Sequence, residues 1–179
     1  MSITDDILRI CISEEEIKKC VDRISEELNR DYEDKNPLFI GVLKGSVPFM
    51  TDLMKKISIR STMDYIKVSS YSGTSSTGNI ILKSEMPIVT GRHVVIVEDI
   101  LDTGKTLLEL KKMFVAAGAL SVSLVVLLDK PEGRKYDIYA DYIGGKVPNE
   151  FVVGYGLDYN EQYRNLPYIG VLKESVYKK

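Results

Sequence analysis

Three nearly unbroken aliphatic runs, Leu38–Leu43, His93–Val97 and Leu120–Leu128, set the tightest limit on how this chain can fold. A strand with one wet face alternates apolar and polar residues. A run without that alternation suits a strand covered on both faces, as in a parallel sheet with helices packed on either side. Helical patterns lie between the runs. Ser13-Glu14-Glu15-Glu16 has the form of a capping box, and Ile17, Cys20, Val21, Ile24 and Leu28 follow at 3–4 spacing, which predicts a helix over 14–29. Lys44-Gly45-Ser46 reads as a turn leading into a helix from Val47 to Ile57, with Pro48 tolerable in its first turn. Met63–Ser69 and Ile80–Lys83 can pair as a hairpin around residues 70–79 (SYSGTSSTGN), the only Ser/Thr/Gly-rich stretch, which reads as a mobile loop. After the His93–Val97 strand, Asp99–Lys105 reads as a loop and Thr106–Ala117 as a helix stopped by Gly118. Phe151–Leu172 reads as short strands around a polar loop. Strands alternating with helices predict an α/β fold: a mostly parallel twisted sheet flanked by helices.

At 179 residues the chain is close to one ordinary domain, large enough to bury about 70% of its unfolded surface. Its 44% hydrophobic and 28% charged residues describe a soluble globular protein. Lysine plus arginine (24) against aspartate plus glutamate (26) leaves a net charge of −2, which weighs against a nucleic-acid binder working through a basic surface. A small local phosphate site remains open. The 2 cysteines, Cys11 and Cys20, have no CxxC spacing and read as reduced structural thiols, pointing to the cytoplasm. The start, MSITDDILRI, lacks the features of a secretory signal. Leu120–Leu128 falls well short of the roughly 20 residues of a membrane span. His93, the only histidine, reads as structural.

The chemistry concentrates in residues 94–107 (VVIVEDILDTGKTL). Open parallel sheets bind ligands beyond the carboxyl ends of their strands, and this strand delivers Glu98 and Asp99 to that edge. The following turn offers Asp102, Thr103, Gly104 and Thr106. A glycine lets the backbone approach a ligand, neighbouring amides can form an anion nest, and the next helix adds its positive dipole end. This describes a phosphate cup with acids on its rim. Acids beside a phosphate repel it unless they bind something else, such as sugar hydroxyls or Mg²⁺. The plainer reading, in which Asp102 and Thr103 merely cap a helix and Glu98-Asp99 is a solvated strand end, weakens for three acids within five positions directly after four aliphatic residues. Gly104-Lys105-Thr106 imitates the end of a Walker A motif, but Asp99 stands where that motif needs a glycine.

The stretch resembles the 5-phosphoribosyl-1-pyrophosphate (PRPP) signature of type I phosphoribosyltransferases: an aliphatic strand, two acids, then Asp-Thr-Gly-x-Thr. Leu43-Lys44-Gly45 is similar to that family's pyrophosphate loop, and Ser70-Tyr71 opens a segment similar to its closing flap. Asp129-Lys130-Pro131, Phe151–Tyr159 and Arg164 are similar to the purine hood and its neighbours. Together these segments resemble the hypoxanthine-guanine branch of the family over nearly the whole chain. The resemblance implies a single domain over 1–179. Its α/β core would span 38–130 with a flexible loop at about 70–79, and 1–30 and 131–179 would form a small hood and base-binding segment.

The implied activity is purine salvage: a glycosyltransferase moving the 5-phosphoribosyl group of PRPP to N9 of hypoxanthine or guanine, giving IMP or GMP and pyrophosphate. The implied cofactor is Mg²⁺ and the implied assembly a cytoplasmic homodimer or homotetramer, with neither nucleic acid nor membrane as partner. Asp102 matches the general base or proton holder at purine N7. Leu43, Lys44 and Gly45 match pyrophosphate contacts, with Arg164 nearby, and Ser70 and Tyr71 match the lid. Ile100, Leu101, Asp102, Thr103, Gly104, Lys105 and Thr106 make up the PRPP loop; Lys105, like Gly156, carries no role of its own, because some members have other residues there. Glu98 and Asp99 match the acids that hold ribose hydroxyls and Mg²⁺, with Asp158 a second metal contact near pyrophosphate that is also counted among the purine-binding residues. Lys130 matches the group that meets the 6-oxo position, Phe151 a stacking ring, and Val152 a backbone contact. Members of the family often hold the bond equivalent to Leu43–Lys44 in the cis form. Two alternatives stay open: a regulator of this fold that senses PRPP or nucleotides and binds RNA or DNA, and an enzyme acting on xanthine or a pyrimidine.

Overall fold

A computed structural model of the chain describes residues 2–70 and 80–178. In chain order the elements are β1 (Ile7–Ile12), α1 (Glu14–Asp31), β2 (Leu38–Leu43), α2 (Val47–Met54), β3 (Thr62–Ser70), β4 (Ile80–Leu82), β5 (His93–Leu101), α3 (Lys105–Ala116), β6 (Ser121–Asp129), β7 (Tyr142–Lys146), β8 (Val152–Val153), β9 (Ile169–Leu172) and α4 (Glu174–Tyr177). The aliphatic runs become the centre of a six-stranded sheet of order β4-β3-β2-β5-β6-β7. Every pairing in it is parallel except that of β3 with β4 at one edge. A smaller antiparallel sheet, β1-β9-β8, joins the first strand to two near the end.

Burial explains why the central strands show no alternation. Along β5, Val95 and Val97 join one core cluster with Ile17, Val21, Ile24 and Leu28 of α1 and Phe49, Met50 and Leu53 of α2. Val94 and Ile96 join the other, with Leu107, Leu110 and Phe114 of α3. Both faces are covered, so both must be apolar. The capping box forms: Ser13 Oγ accepts from the Glu16 amide at 3.3 Å, and Glu16 Oε2 accepts from the Ser13 amide at 2.8 Å. After α3, the Gly118 amide donates to Val115 O and the Ala119 amide to Phe114 O, closing the helix with a Schellman turn around a left-handed glycine.

Several predicted boundaries move. The second helix ends at Met54, three residues before Ile57, in a terminal turn where the Leu53 carbonyl is shared between the Lys56 amide at 2.9 Å and the Ile57 amide at 3.2 Å. The fifth strand continues four residues past Val97, since β6 stays alongside it: Glu98 pairs with Val126 and Leu101 with Asp129. Glu98 and Asp99 therefore lie inside a strand, and the predicted Asp99–Lys105 loop shrinks to the turn at 102–104. The predicted hairpin forms, with Ser70 opposite Ile80, while the 70–79 loop reading falls on residues 71–79, outside the described ones. β1, β7 and α4 are additional to the predicted elements. His93 begins β5, at the end away from the acids, its Nδ1 2.8 Å from Ser121 Oγ. Among the described residues no helix is long and apolar enough to cross a membrane.

Candidate active site

Strands β2, β5 and β6 all end on one edge of the sheet, and the turns that follow them converge there. A cleft of about 330 Å³ is lined by Leu43 at the end of β2 with Lys44 and Gly45 after it, by Glu98 to Leu101 of β5 and the turn to Gly104, by Thr106 of α3, and by Asp158 and Arg164 from the late segment. Lys105, the first residue of α3, is not part of its lining. The Leu43–Lys44 peptide is cis.

Glu98 and Asp99 both stand at this edge. Asp99 is buried, its Oδ1 accepts the Ile100 amide at 2.7 Å, and its other oxygen lies against Gly45, where a Cβ would collide with it. Burial pushes both carboxyls up, and the repulsion between them adds to the shift at Glu98. Both carboxyls are therefore held above the ordinary carboxylate range by the loss of water around them. Two adjacent desolvated acids have the oxygen-donor chemistry that suits a hard divalent cation, whose charge would relieve their repulsion. Mg²⁺ is commonly held by one or two carboxylates plus substrate phosphates and water. The expected set of Glu98, Asp99 and Asp158 does not close into a protein cage, because among the described residues no group of three or more acids, histidines or cysteines is poised to hold a metal. Asp158 is instead paired with Arg164 Nη2 at 2.8 Å.

The turn after β5 is gripped from behind by a residue that no sequence motif marks. Arg134, only 14% exposed, donates from Nε to Asp102 O at 2.9 Å, from Nη1 to Ile138 O at 2.6 Å and from Nη2 to Leu101 O at 3.2 Å, and it pairs with Asp129. The Lys135 amide adds a bond to Thr103 O at 3.0 Å. With its carbonyls held on the protein side, the turn through left-handed Gly104 (φ 89°) leads directly into α3 and leaves the helix's first amides for a ligand. A lone arginine four residues beyond Lys130 carries no motif by which it could have been found.

The other residues of the resemblance fall into two groups. Arg164 Nη1 donates to Gly156 O at 2.7 Å, and its Nε is buried with no hydrogen-bond partner among the described residues. Gly156 has φ 102° and abuts the Gly45 carbonyl so closely that a Cβ would strike it, which gives this position the packing role the sequence left blank. Lys130 and Phe151 line a neighbouring cleft of about 430 Å³ with Leu172 and Tyr177. The Phe151 ring stacks on Tyr177 at 4.9 Å and meets the edge of Tyr159 at 5.6 Å. Val152 is buried in β8, at the edge of the small sheet. Asp158, grouped above with the purine contacts, lines the cleft of the acids and not this one. The two clefts meet where Lys130 Nζ stands 3.7 Å from Asp102 Oδ2. Ser70 ends β3, and Tyr71 lies outside the described residues.

A parallel sheet whose strand ends present paired acids and an amide-lined turn is the architecture of a phosphoribosyl-transferring site. The phosphoribosyl transferase domain profile matches residues 12–160, and the chain belongs to that family. Within it, the chain is 52% identical over 177 residues to the hypoxanthine-guanine phosphoribosyltransferase of Streptococcus pneumoniae, covering 98% of each protein. Among solved structures it is similar to a hypoxanthine phosphoribosyltransferase from Staphylococcus aureus, with a TM-score of 0.94 and 44% identity over 99% of this chain and 97% of that one. The hypoxanthine phosphoribosyl transferase of Trypanosoma cruzi matches with a TM-score of 0.91 and 39% identity, over 97% of this chain and 95% of that one.

Proposed function

We propose that this chain transfers the 5-phosphoribosyl group of PRPP to N9 of hypoxanthine or guanine, forming IMP or GMP and releasing pyrophosphate, in purine salvage. One observation carries the base assignment. Lys130 Nζ lies 3.7 Å from Asp102 Oδ2, so a donor and a proton acceptor stand side by side. The 6-oxo group and N7 of a 6-oxopurine are likewise neighbours on one ring edge. Adenine would set its amino donor against the lysine, leaving a buried donor unmatched, and that kind of mismatch discriminates strongly.

In this reading Asp102 holds the proton at N7 as N9 attacks the anomeric carbon. Phe151, already braced by Tyr177 and Tyr159, stacks on the purine face. Thr103, Gly104 and Thr106 hold the 5′-phosphate with hydroxyls and amides, while Lys44 and Arg164 take the pyrophosphate oxygens. Glu98 and Asp99 orient the ribose hydroxyls and would hold Mg²⁺, with Asp158 a further contact. When bound, Mg²⁺ neutralises charge gathering on the leaving group. Residues 1–179 act as one domain, and the protein works as a homodimer or homotetramer.

Incubation with PRPP, Mg²⁺ and each of hypoxanthine, guanine, xanthine, adenine and uracil tests the proposal. IMP and GMP should form, with little or no AMP or UMP. No nucleotide from any 6-oxopurine would overturn it.

A further inference from the structure

The two cations assigned above to pyrophosphate are already bridged by a side chain. Glu161 Oε2 accepts from Lys44 Nζ at 2.9 Å and from Arg164 Nη2 at 3.2 Å, a single oxygen serving both. The Glu161 amide donates to Asp158 Oδ2 at 2.9 Å, and Asp158 in turn pairs with Arg164, closing a ring of one cation and two anions from which Lys44 branches at Glu161. Lys44 and Arg164 are far apart in sequence and approach each other across the cleft, so the place between them suits an oxygen of an anion. A phosphate oxygen makes the same demands as the carboxylate oxygen found there. The backbone of Glu161 is fixed by the Asp158 bond and a left-handed φ of 64°, while its side chain is 63% exposed and can swing into solvent.

Resting on the function proposed above, we propose that Glu161 is an internal competitor for pyrophosphate. In the ligand-free chain it occupies the place between Lys44 and Arg164. It yields that place to the diphosphate of PRPP and returns as pyrophosphate leaves. Exposed ion pairs are individually weak, so the incoming diphosphate displaces Glu161 readily, yet two pairs sharing one oxygen are enough to lower affinity measurably.

The test is calorimetric titration of pyrophosphate, in buffer containing Mg²⁺, into the full chain, into Glu161→Gln and into Glu109→Gln. Glu109 pairs with Lys112 on α3, and its substitution changes net charge by the same amount. Glu161→Gln should bind pyrophosphate about fivefold more tightly than wild type, the size expected for two exposed pairs. Its KM for PRPP should fall and pyrophosphate should inhibit it at lower concentration, while Glu109→Gln stays at the wild-type values. Equal or weaker binding by Glu161→Gln overturns the inference, as does equal tightening by Glu109→Gln, which would reduce the effect to bulk charge. Folded wild-type protein that binds no pyrophosphate would instead overturn the reading of the phosphate site on which the inference stands.

Discussion

The phosphate side and the base side of the site are built on different principles. The phosphate side sits on β5, a central strand paired with β2 and β6, and its turn is held by half-buried hydrogen bonds from Arg134. The base side is assembled from an edge strand, the short helix α4 and three aromatic rings, with Phe151 still 36% exposed. A polyanion is best met by donors fixed before it arrives, because reorganising dipoles costs binding energy. A flat ring can be met by another ring that settles onto it. The phosphate side should therefore fail abruptly when altered, and the base side by degrees.

Four substitutions test that contrast. Asp102→Asn should lower turnover roughly a thousandfold, as expected for loss of a proton acceptor, while PRPP binding by calorimetry stays near wild type. Equal loss of both would contradict the role assigned to Asp102. Arg134→Met should cut kcat/KM for PRPP by roughly a hundredfold through misplacement of the turn. Urea unfolding should show the same variant to be about 3 kcal/mol less stable, because Asp129 and three carbonyls lose a buried partner. If its PRPP kinetics are normal, the phosphate side is not preset by that grip. Phe151→Leu should raise the KM for hypoxanthine about tenfold, the size of one lost stacking contact, with PRPP binding unchanged. Tyr177→Ala should have the smallest effect, about threefold on the same KM, because it removes only the ring behind Phe151. An abrupt loss of PRPP binding in either aromatic variant would erase the distinction between the two sides.

The sequence announced the parts whose causes are local. The β2, β5 and β6 runs are unbroken because two layers cover them, and Ser13 with Glu16 marks the start of α1 within four residues. The acids and the Asp102–Thr106 turn were legible because the nest-forming residues are consecutive. What stayed hidden depends on partners distant in sequence. β7 contains Gly144 and Gly145, poor strand formers, and exists because β6 runs beside it. β5 outran its predicted end for the same reason. Arg134 is an unremarkable loop arginine until Leu101 and Asp102 fold against it. Glu161 gains meaning only when Lys44, from the other end of the chain, arrives at Arg164.

The contact between Gly156 and the Gly45 carbonyl constrains anyone who wishes to redesign this protein. The strip that leads from Phe151 to Asp158 rests backbone to backbone on the Lys44 turn, so neither can be re-sculpted alone. A mutant library that diversifies 152–158 to admit unfamiliar bases should vary position 156 only together with residues 43–45, since a side chain there needs the leaving-group turn to give way.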